Sequence, residues 1–252
     1  MNSVAALLAA LDLPASARVD RRVPKTLLVE NAAPTAADKR RINDGIEELV
    51  WLATLKPTTI GVPAYRDDVR EYLEIAVLRL LLRAGAKSSR LVELVHRAIP
   101  YPVVLIADGA DETLSLAHKR WSQGEKGKTV LDGDVLVIDC EAKADAATWG
   151  LFLKALALGR QPQATLYALY RGWIDTLVAL QAAKRTGTFV LASSETRFGA
   201  RRDAVAECDR LEAEIARLRA AAAKEKQMSR RVELNLELKR VEAAQAAARA
   251  NL

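Results

Sequence analysis

Apolar positions spaced three and four residues apart predict helices along most of the chain. Ser3, Thr35 and Ser88 stand where N-caps are favoured, and prolines close several of the patterns. The predicted helices cover 3–13, 35–52, 88–99, 145–158 and 163–184.

Short apolar and β-branched runs between these helices predict strands. The predicted strands cover 26–30, 71–82, 102–107, 113–118 and 130–139. Periodicity does not settle 71–82, where a helix stays an alternative. Strands mixed with helices in this order predict an α/β (α+β) N-terminal domain with a mixed sheet.

The last fifty residues carry a different pattern. Residues 201–250 contain no Gly and no Pro, and their apolar positions repeat as heptads, which predicts C-terminal coiled-coil helices. The predicted interface consists of Val205, Cys208, Leu211, Ile215, Leu218, Leu234, Leu238 and Val241. The polar segment 224–231 interrupts the seam, so a helical hairpin and one long rod both stay open. An alanine-rich seam packs thinly alone, which favours a homo-oligomer through these helices or a partner helix in trans.

Three regions follow from these patterns: an α/β domain over 1–140, a helical middle over 141–195 and a coiled-coil arm over 196–252. The chain has 252 residues, 50% of them hydrophobic, and only two Cys and two His, which excludes a disulfide scaffold and a structural zinc set. No apolar run approaches the roughly 20 residues of a membrane helix, and the N-terminus lacks a basic signal region. We therefore expect a cytoplasmic protein without membrane contact.

Six short blocks resemble, in the same order, an uncharacterised bacterial family known as domain of unknown function 4391. The blocks are RVDRRVPK at 18–25, ADKR at 37–40, WLATLKP at 51–57, REYLEI at 70–75, AIPYP at 98–102 and LAHKR at 116–120. The resemblance covers roughly 7–138 and implies no activity. It implies a genomic setting beside DNA methyltransferases and helicases of restriction-modification or phage-defence loci, and hence an accessory subunit that works with such an enzyme on DNA.

The charge distribution favours contact with nucleic acid. The formal net charge is +6, and residues 196–252 hold 13 Lys and Arg against 9 Asp and Glu. The side chains predicted to contact phosphates are Arg21, Arg22, Lys25, Lys39, Arg40, His118, Lys119, Arg120, Arg230 and Arg231. Such contacts give salt-dependent affinity without reading sequence. The alternative is that these runs only form solvated faces.

One constellation suggests catalysis. Asp134, Glu141 and Lys143 resemble the two carboxylates and lysine with which restriction-type nucleases hold Mg²⁺ and activate water. A solvated turn with Asp145 as an N-cap is the favoured interpretation, and a Mg²⁺-dependent nuclease is the alternative function. Phosphate-binding glycine loops are absent from the sequence, so no cofactor is expected. The combined expectation is a non-enzymatic accessory subunit that contacts DNA.

Overall fold

The chain divides into two compact units, which the computed structural model describes over residues 3–140, 145–192 and 194–252. The first unit is Met1–Leu177 and the second is Val178–Leu252. The helices are α1 Ser3–Ala10, α2 Lys25–Ala32, α3 Ala36–Gly45, α4 Pro57–Ile60, α5 Ser88–Ala98, α6 Ala146–Ala155, α7 Leu166–Thr186, α8 Glu195–Lys224 and α9 Met228–Arg249. The strands are β1 Arg18–Arg22, β2 Ile46–Leu55, β3 Tyr65–Arg66, β4 Glu71–Tyr72, β5 Ile75–Leu82, β6 Val103–Asp108, β7 Thr113–Leu116, β8 Lys119–Trp121, β9 Thr129–Leu131 and β10 Leu136–Asp139.

A six-stranded mixed sheet in the order β1-β2-β5-β6-β7-β10 organises the first unit. All neighbours pair antiparallel except β5 and β6, which run parallel and are joined by the crossover helix α5. Two short hairpins, β3–β4 and β8–β9, stand apart from this sheet. The predicted α+β class with a mixed sheet followed by helices is confirmed.

Helices cover both faces of the central strands. Alternate residues of β5 from Ala76 to Leu82 pack with buried residues of α2, α3 and α5 in one apolar cluster. Opposite this cluster, α1 contacts β6, and the buried hydroxyl of Tyr170 on α7 donates to the Val103 carbonyl at 2.7 Å. Burial on both faces explains why β5 and β6 read as nearly continuous apolar runs.

The predicted strand at 26–30 is wrong, because this segment is helix α2. Leu28 and Ala32, one helical turn apart, are the residues that it buries in the core. The preceding basic stretch, where no element is predicted, is strand β1. All five β1 residues are exposed, so no apolar alternation announces the strand, and its pairing with β2 defines it.

The helix predicted over 35–52 stops early. Thr35 does cap α3, since its hydroxyl accepts the Asp38 backbone N–H at 3.1 Å, but the chain becomes strand β2 at Ile46. Register shifts between Ile46 and Glu48 and between Trp51 and Ala53 interrupt the alternation of β2. The buried residues Ile46, Leu49 and Ala53 therefore follow at intervals of three and four, which imitates a helix.

Two predicted strands are each divided in the structure. The segment 71–82 splits between β4, which pairs with β3, and β5 of the central sheet. The segment 130–139 likewise splits between β9 and β10. The helices predicted from Asp145 and over 163–184 are confirmed as α6, capped by Asp145, and α7. No helix of the described ranges is long and apolar enough to cross a membrane.

The second unit contains an antiparallel helical hairpin. Three residues, 225–227, connect α8 to α9, so the C-terminal helices form a hairpin and not one rod. Arg219 on α8 meets Glu242 on α9 at 2.7 Å, and Arg201 donates to the Leu252 carbonyl at 3.0 Å. The later residue of α8 meets the earlier residue of the C-terminal segment, so the two helices run antiparallel.

Candidate nucleic-acid interface

The edge strand β1 presents an exposed basic surface in the first unit. Arg18, Arg21 and Arg22, the β1 arginine row, lie on a strand whose five residues are all exposed. The Arg22 side chain is 68% exposed, and its Nε lies 3.7 Å from Glu48 in an ion pair that exposure to water keeps weak. Because exposed guanidinium groups are free to meet phosphate oxygens, this row matches the chemistry predicted for Arg21 and Arg22.

Lys25 and Arg83 extend the positive charge beyond β1. The Lys25 ammonium donates to the backbone carbonyl of Ile46 and, at 3.2 Å, to that of Asn43. Arg83 also donates to the Asn43 carbonyl at 3.2 Å. Both cations thus satisfy the carboxyl end of α3, where positive charge is favourable. Burial lowers the pKa of Lys25, and the charges of Arg83 and Arg22 lower it further, whereas those of Asp44 and Glu47 raise it, so its ammonium lies near both cations and carboxylates.

Lys39 and Arg40 lie exposed on α3, as a phosphate-contacting role requires. The neighbouring Asp38 is buried, and Arg90 of α5 donates to both of its carboxylate oxygens at 2.9 and 3.1 Å. This hydrogen bonding holds the pKa of Asp38 well below its usual range. The Asp38–Arg90 pair fixes α3 against α5 and so sets where Lys39 and Arg40 stand.

His118 belongs to an aromatic cluster. The half-buried ring places its Nδ1 2.6 Å from the Tyr72 hydroxyl, and its centroid lies 5.5 and 5.7 Å from those of Tyr167 and Tyr170. These tyrosines come from β4 and α7, far apart in sequence, so the sequence gives no signal for the cluster. The ring packs among aromatic side chains, which gives it a structural role in addition to any phosphate contact.

The phosphate contact predicted for Lys119 is wrong, because its side chain is 1% exposed. The ammonium donates to the carbonyl of Ile99 at 2.8 Å and to that of His96, at the carboxyl end of α5. Burial lowers the pKa of Lys119 to about 8. A phosphate cannot reach this group, so Lys119 is not part of the candidate surface. Its neighbour Arg120 is half-buried, with its Nε 3.7 Å from Asp132.

The C-terminal candidates fall into two groups. Arg230 and Arg231 are exposed in the first turn of α9, within the second unit. The predicted interface residues of α8, by contrast, are already covered: Val205, Cys208, Leu211, Ile215 and Leu218 are each at most 6% exposed. Their partners on α9, Leu234, Leu238 and Val241, are half-buried. The heptad seam therefore packs within a single chain.

The nuclease constellation is only partly visible. Asp134 is exposed in the turn before β10, whereas Glu141 and Lys143 lie outside the described residues. Within the described ranges no group of three or more His, Cys, Asp or Glu side chains could hold a metal ion. No structural observation therefore favours Mg²⁺ chemistry over phosphate contact.

Comparison with known protein families finds a match. The model of one protein family, described as a domain of unknown function (DUF4391), matches residues 11–244. No curated protein and no solved structure matches the chain.

Proposed function

Because the chain belongs to the DUF4391 family, a membership that assigns no activity, we propose that it is a non-enzymatic accessory subunit of a DNA-modifying or phage-defence complex. Within that complex it contacts DNA phosphates without reading sequence and helps to assemble the proteins. The proposed partner is a DNA methyltransferase or helicase subunit. That choice rests on the genomic setting implied by the family resemblance.

The β1 arginine row is the observation that carries DNA contact. Three guanidinium groups stand within five residues on an exposed edge strand, and Lys25 and Arg83 add charge beside Arg22. A row of cations gains affinity for the phosphates of a duplex, since each neutralised phosphate releases a counterion. A charged edge strand also resists pairing with other sheets, so the arginines have a competing role in solubility.

A triple variant separates these two roles. Arg18→Gln, Arg21→Gln and Arg22→Gln together remove three positive charges from β1. We expect the slope of log affinity against log salt for a fluorescent duplex to become shallower by about 2 to 3, since each phosphate contact contributes about 0.9. Fluorescence anisotropy from about 50 to about 200 mM NaCl measures this slope.

The matched control removes the same charge elsewhere. Arg97, Arg210 and Arg217 each pair with a glutamate one helical turn away, and their triple Gln variant changes the net charge equally. We expect this control to keep most of the wild-type slope. Equal slopes for the two variants, or a β1 variant that aggregates while its DNA affinity is unchanged, would contradict phosphate contact by the row.

A further inference from the structure

The outward face of α9, the side turned away from α8, carries apolar side chains toward both ends of the helix, with Lys239 between them. Met228, Val232 and Leu236 stand at intervals of four residues and are 66%, 50% and 56% exposed. Exposed alanines continue the same side of the helix at positions 243, 246, 247 and 250. The other side of α9 packs in the hairpin through Leu234 and Leu238. A helix that is apolar on two sides and covered on one offers a surface for another helix.

Side-chain size along this face is asymmetric. The amino-terminal half carries the large residues Met228, Val232 and Leu236, and the carboxyl-terminal half carries only alanines beyond Lys239. An antiparallel copy of α9 would place the large half of each helix against the small half of the other, as close packing requires. A parallel copy would set alanine against alanine and leave that half unfilled. The face is therefore complementary to itself in one orientation.

The charges beside the stripe fit the same orientation. An antiparallel pair centred between Leu236 and Glu237 brings Glu233 opposite Arg240 of the second copy, on one flank. On the other flank, Glu242 already pairs with Arg219 of α8 within the chain. Two-fold symmetry repeats the Glu233–Arg240 pair, so two ion pairs would border the contact. Lys239 lies within the face, where its aliphatic stem can pack while the ammonium stays in water.

We propose that a second copy of this chain docks antiparallel on the outward face of α9, with the two-fold axis beside Leu236. One pair of helix faces covers less than the roughly 800 Å² per partner of a standard interface, so we expect a micromolar dissociation constant. This contact is distinct from the heptad seam, which the hairpin already buries.

Sedimentation velocity of the full chain from about 5 to about 300 µM tests the dimer. We expect Leu236→Glu to raise the dissociation constant about tenfold or more, because each dimer loses two buried leucines and gains two facing carboxylates. Leu151→Glu is the matched control, since Leu151 on α6 is 50% exposed and lies outside the proposed contact. It should leave the dissociation constant unchanged.

A charge exchange tests the antiparallel register. Glu233→Arg alone and Arg240→Glu alone each set like charges opposite one another and should weaken the dimer. The double variant restores opposite charges and should return the dissociation constant to within about threefold of wild type, a difference of about 0.7 kcal/mol. Circular dichroism of each variant verifies that the hairpin stays helical.

Three results would overturn the dimer: a monomer at the highest concentration, a dimer that Leu236→Glu leaves intact, or a double exchange that fails to restore association. Dimerisation through α9 extends the assembly role in the proposed function, yet it fails independently of DNA contact. The β1 arginine row is untouched in every one of these variants. Measurement of duplex binding by the Leu236→Glu variant therefore distinguishes loss of the dimer from loss of the DNA-binding surface.

Discussion

At the residue scale, buried polar side chains of the first unit decide how its stability responds to pH. His96 on α5 is fully buried, and its Nε2 stands 3.0 Å from the Ser115 hydroxyl. Burial, and then the charge of Lys119, lowers the pKa of His96 to about 3. The folded chain therefore holds this imidazole neutral at pH values where an exposed histidine is protonated.

We expect His96 to make the first unit acid-labile. Its folded pKa lies below the unfolded value of about 6.5, so the unfolded state takes up a proton first as the pH falls. Stability present above about pH 6.5 is lost below it, and the loss between pH 7 and pH 5 is about 2 kcal/mol. Urea unfolding followed by tryptophan fluorescence measures it, because all four Trp lie in the first unit.

The variant His96→Gln is the control for that titration. It keeps a hydrogen-bonding side chain near Ser115 and has no group that titrates in this range. Its own stability should fall by about 2 kcal/mol less than wild type between the two pH values. Equal losses in the two proteins would show that His96 does not cause the acid lability.

Lys119 is expected to act in the alkaline range. Its folded pKa of about 8 lies below the ordinary 10.5, so the unfolded state binds the extra proton between these values and stability rises with pH. From about pH 8 to about pH 9.5 the gain is on the order of 1–2 kcal/mol. Lys119→Met should lack this rise in the same urea experiment. A variant with the wild-type pH dependence would contradict it.

These residues show what sequence alone could not supply. Lys119 stands beside Arg120 in a run that looks like a surface cluster, yet the carbonyls that bind its ammonium come from α5, some twenty positions earlier. A hydrogen bond between distant segments leaves no local pattern. Arg21 and Arg22 were predictable as exposed side chains, because a basic run on a polar edge stays exposed in most arrangements.

At the element scale, the sequence pattern predicts the wrong secondary structure where the pairing register of a strand is irregular. The two register shifts in β2 turn a two-residue alternation into helical intervals, and β1 buries none of its five residues. The strands β6 and β7 lack such shifts and were predicted nearly to their ends. The starts of two capped helices are also predicted correctly, since Thr35 caps α3 and Asp145 caps α6.

In the helical hairpin, truncation of a buried leucine and of an exposed leucine should have different effects on stability. Leu211 on α8 is 3% exposed, whereas Leu236 on α9 is 56% exposed. We expect Leu211→Ala to cost about 2–5 kcal/mol of unfolding free energy because it leaves a cavity. Leu236→Ala should change it by at most about 0.5 kcal/mol in dilute monomer.

Far-ultraviolet circular dichroism during urea unfolding reports both variants. The two substitutions remove the same atoms from leucines of one hairpin, so a difference reflects burial alone. If Leu236→Ala were as costly as Leu211→Ala, the outward face of α9 would already be covered within the chain. That result would also remove the surface proposed for a second copy.

At the scale of the whole molecule, the fold class could be predicted and the choice between a hairpin and a rod could not. Heptads identify an apolar seam but not its partner, and the connector 225–227 contains neither Gly nor Pro to announce a reversal. The structure shows that the seam of α8 is covered within the chain. Any association in trans therefore has to use another face.

The DNA contact proposed for the molecule does not depend on base sequence. Phosphates are the same in every duplex, and the β1 arginine row presents guanidinium groups suited to them. We therefore expect affinity that depends strongly on salt and not on base order. We also expect binding that needs no divalent cation.

The most direct test is the affinity of the wild-type chain for two duplexes of unrelated sequence and equal length, measured by anisotropy with chelator from about 50 to about 200 mM NaCl. We predict equal affinities for the two duplexes and one shared slope of log affinity against log salt, steeper than about −2. Negligible binding at the lowest salt, or a strong preference for one duplex that persists as salt rises, would contradict the account.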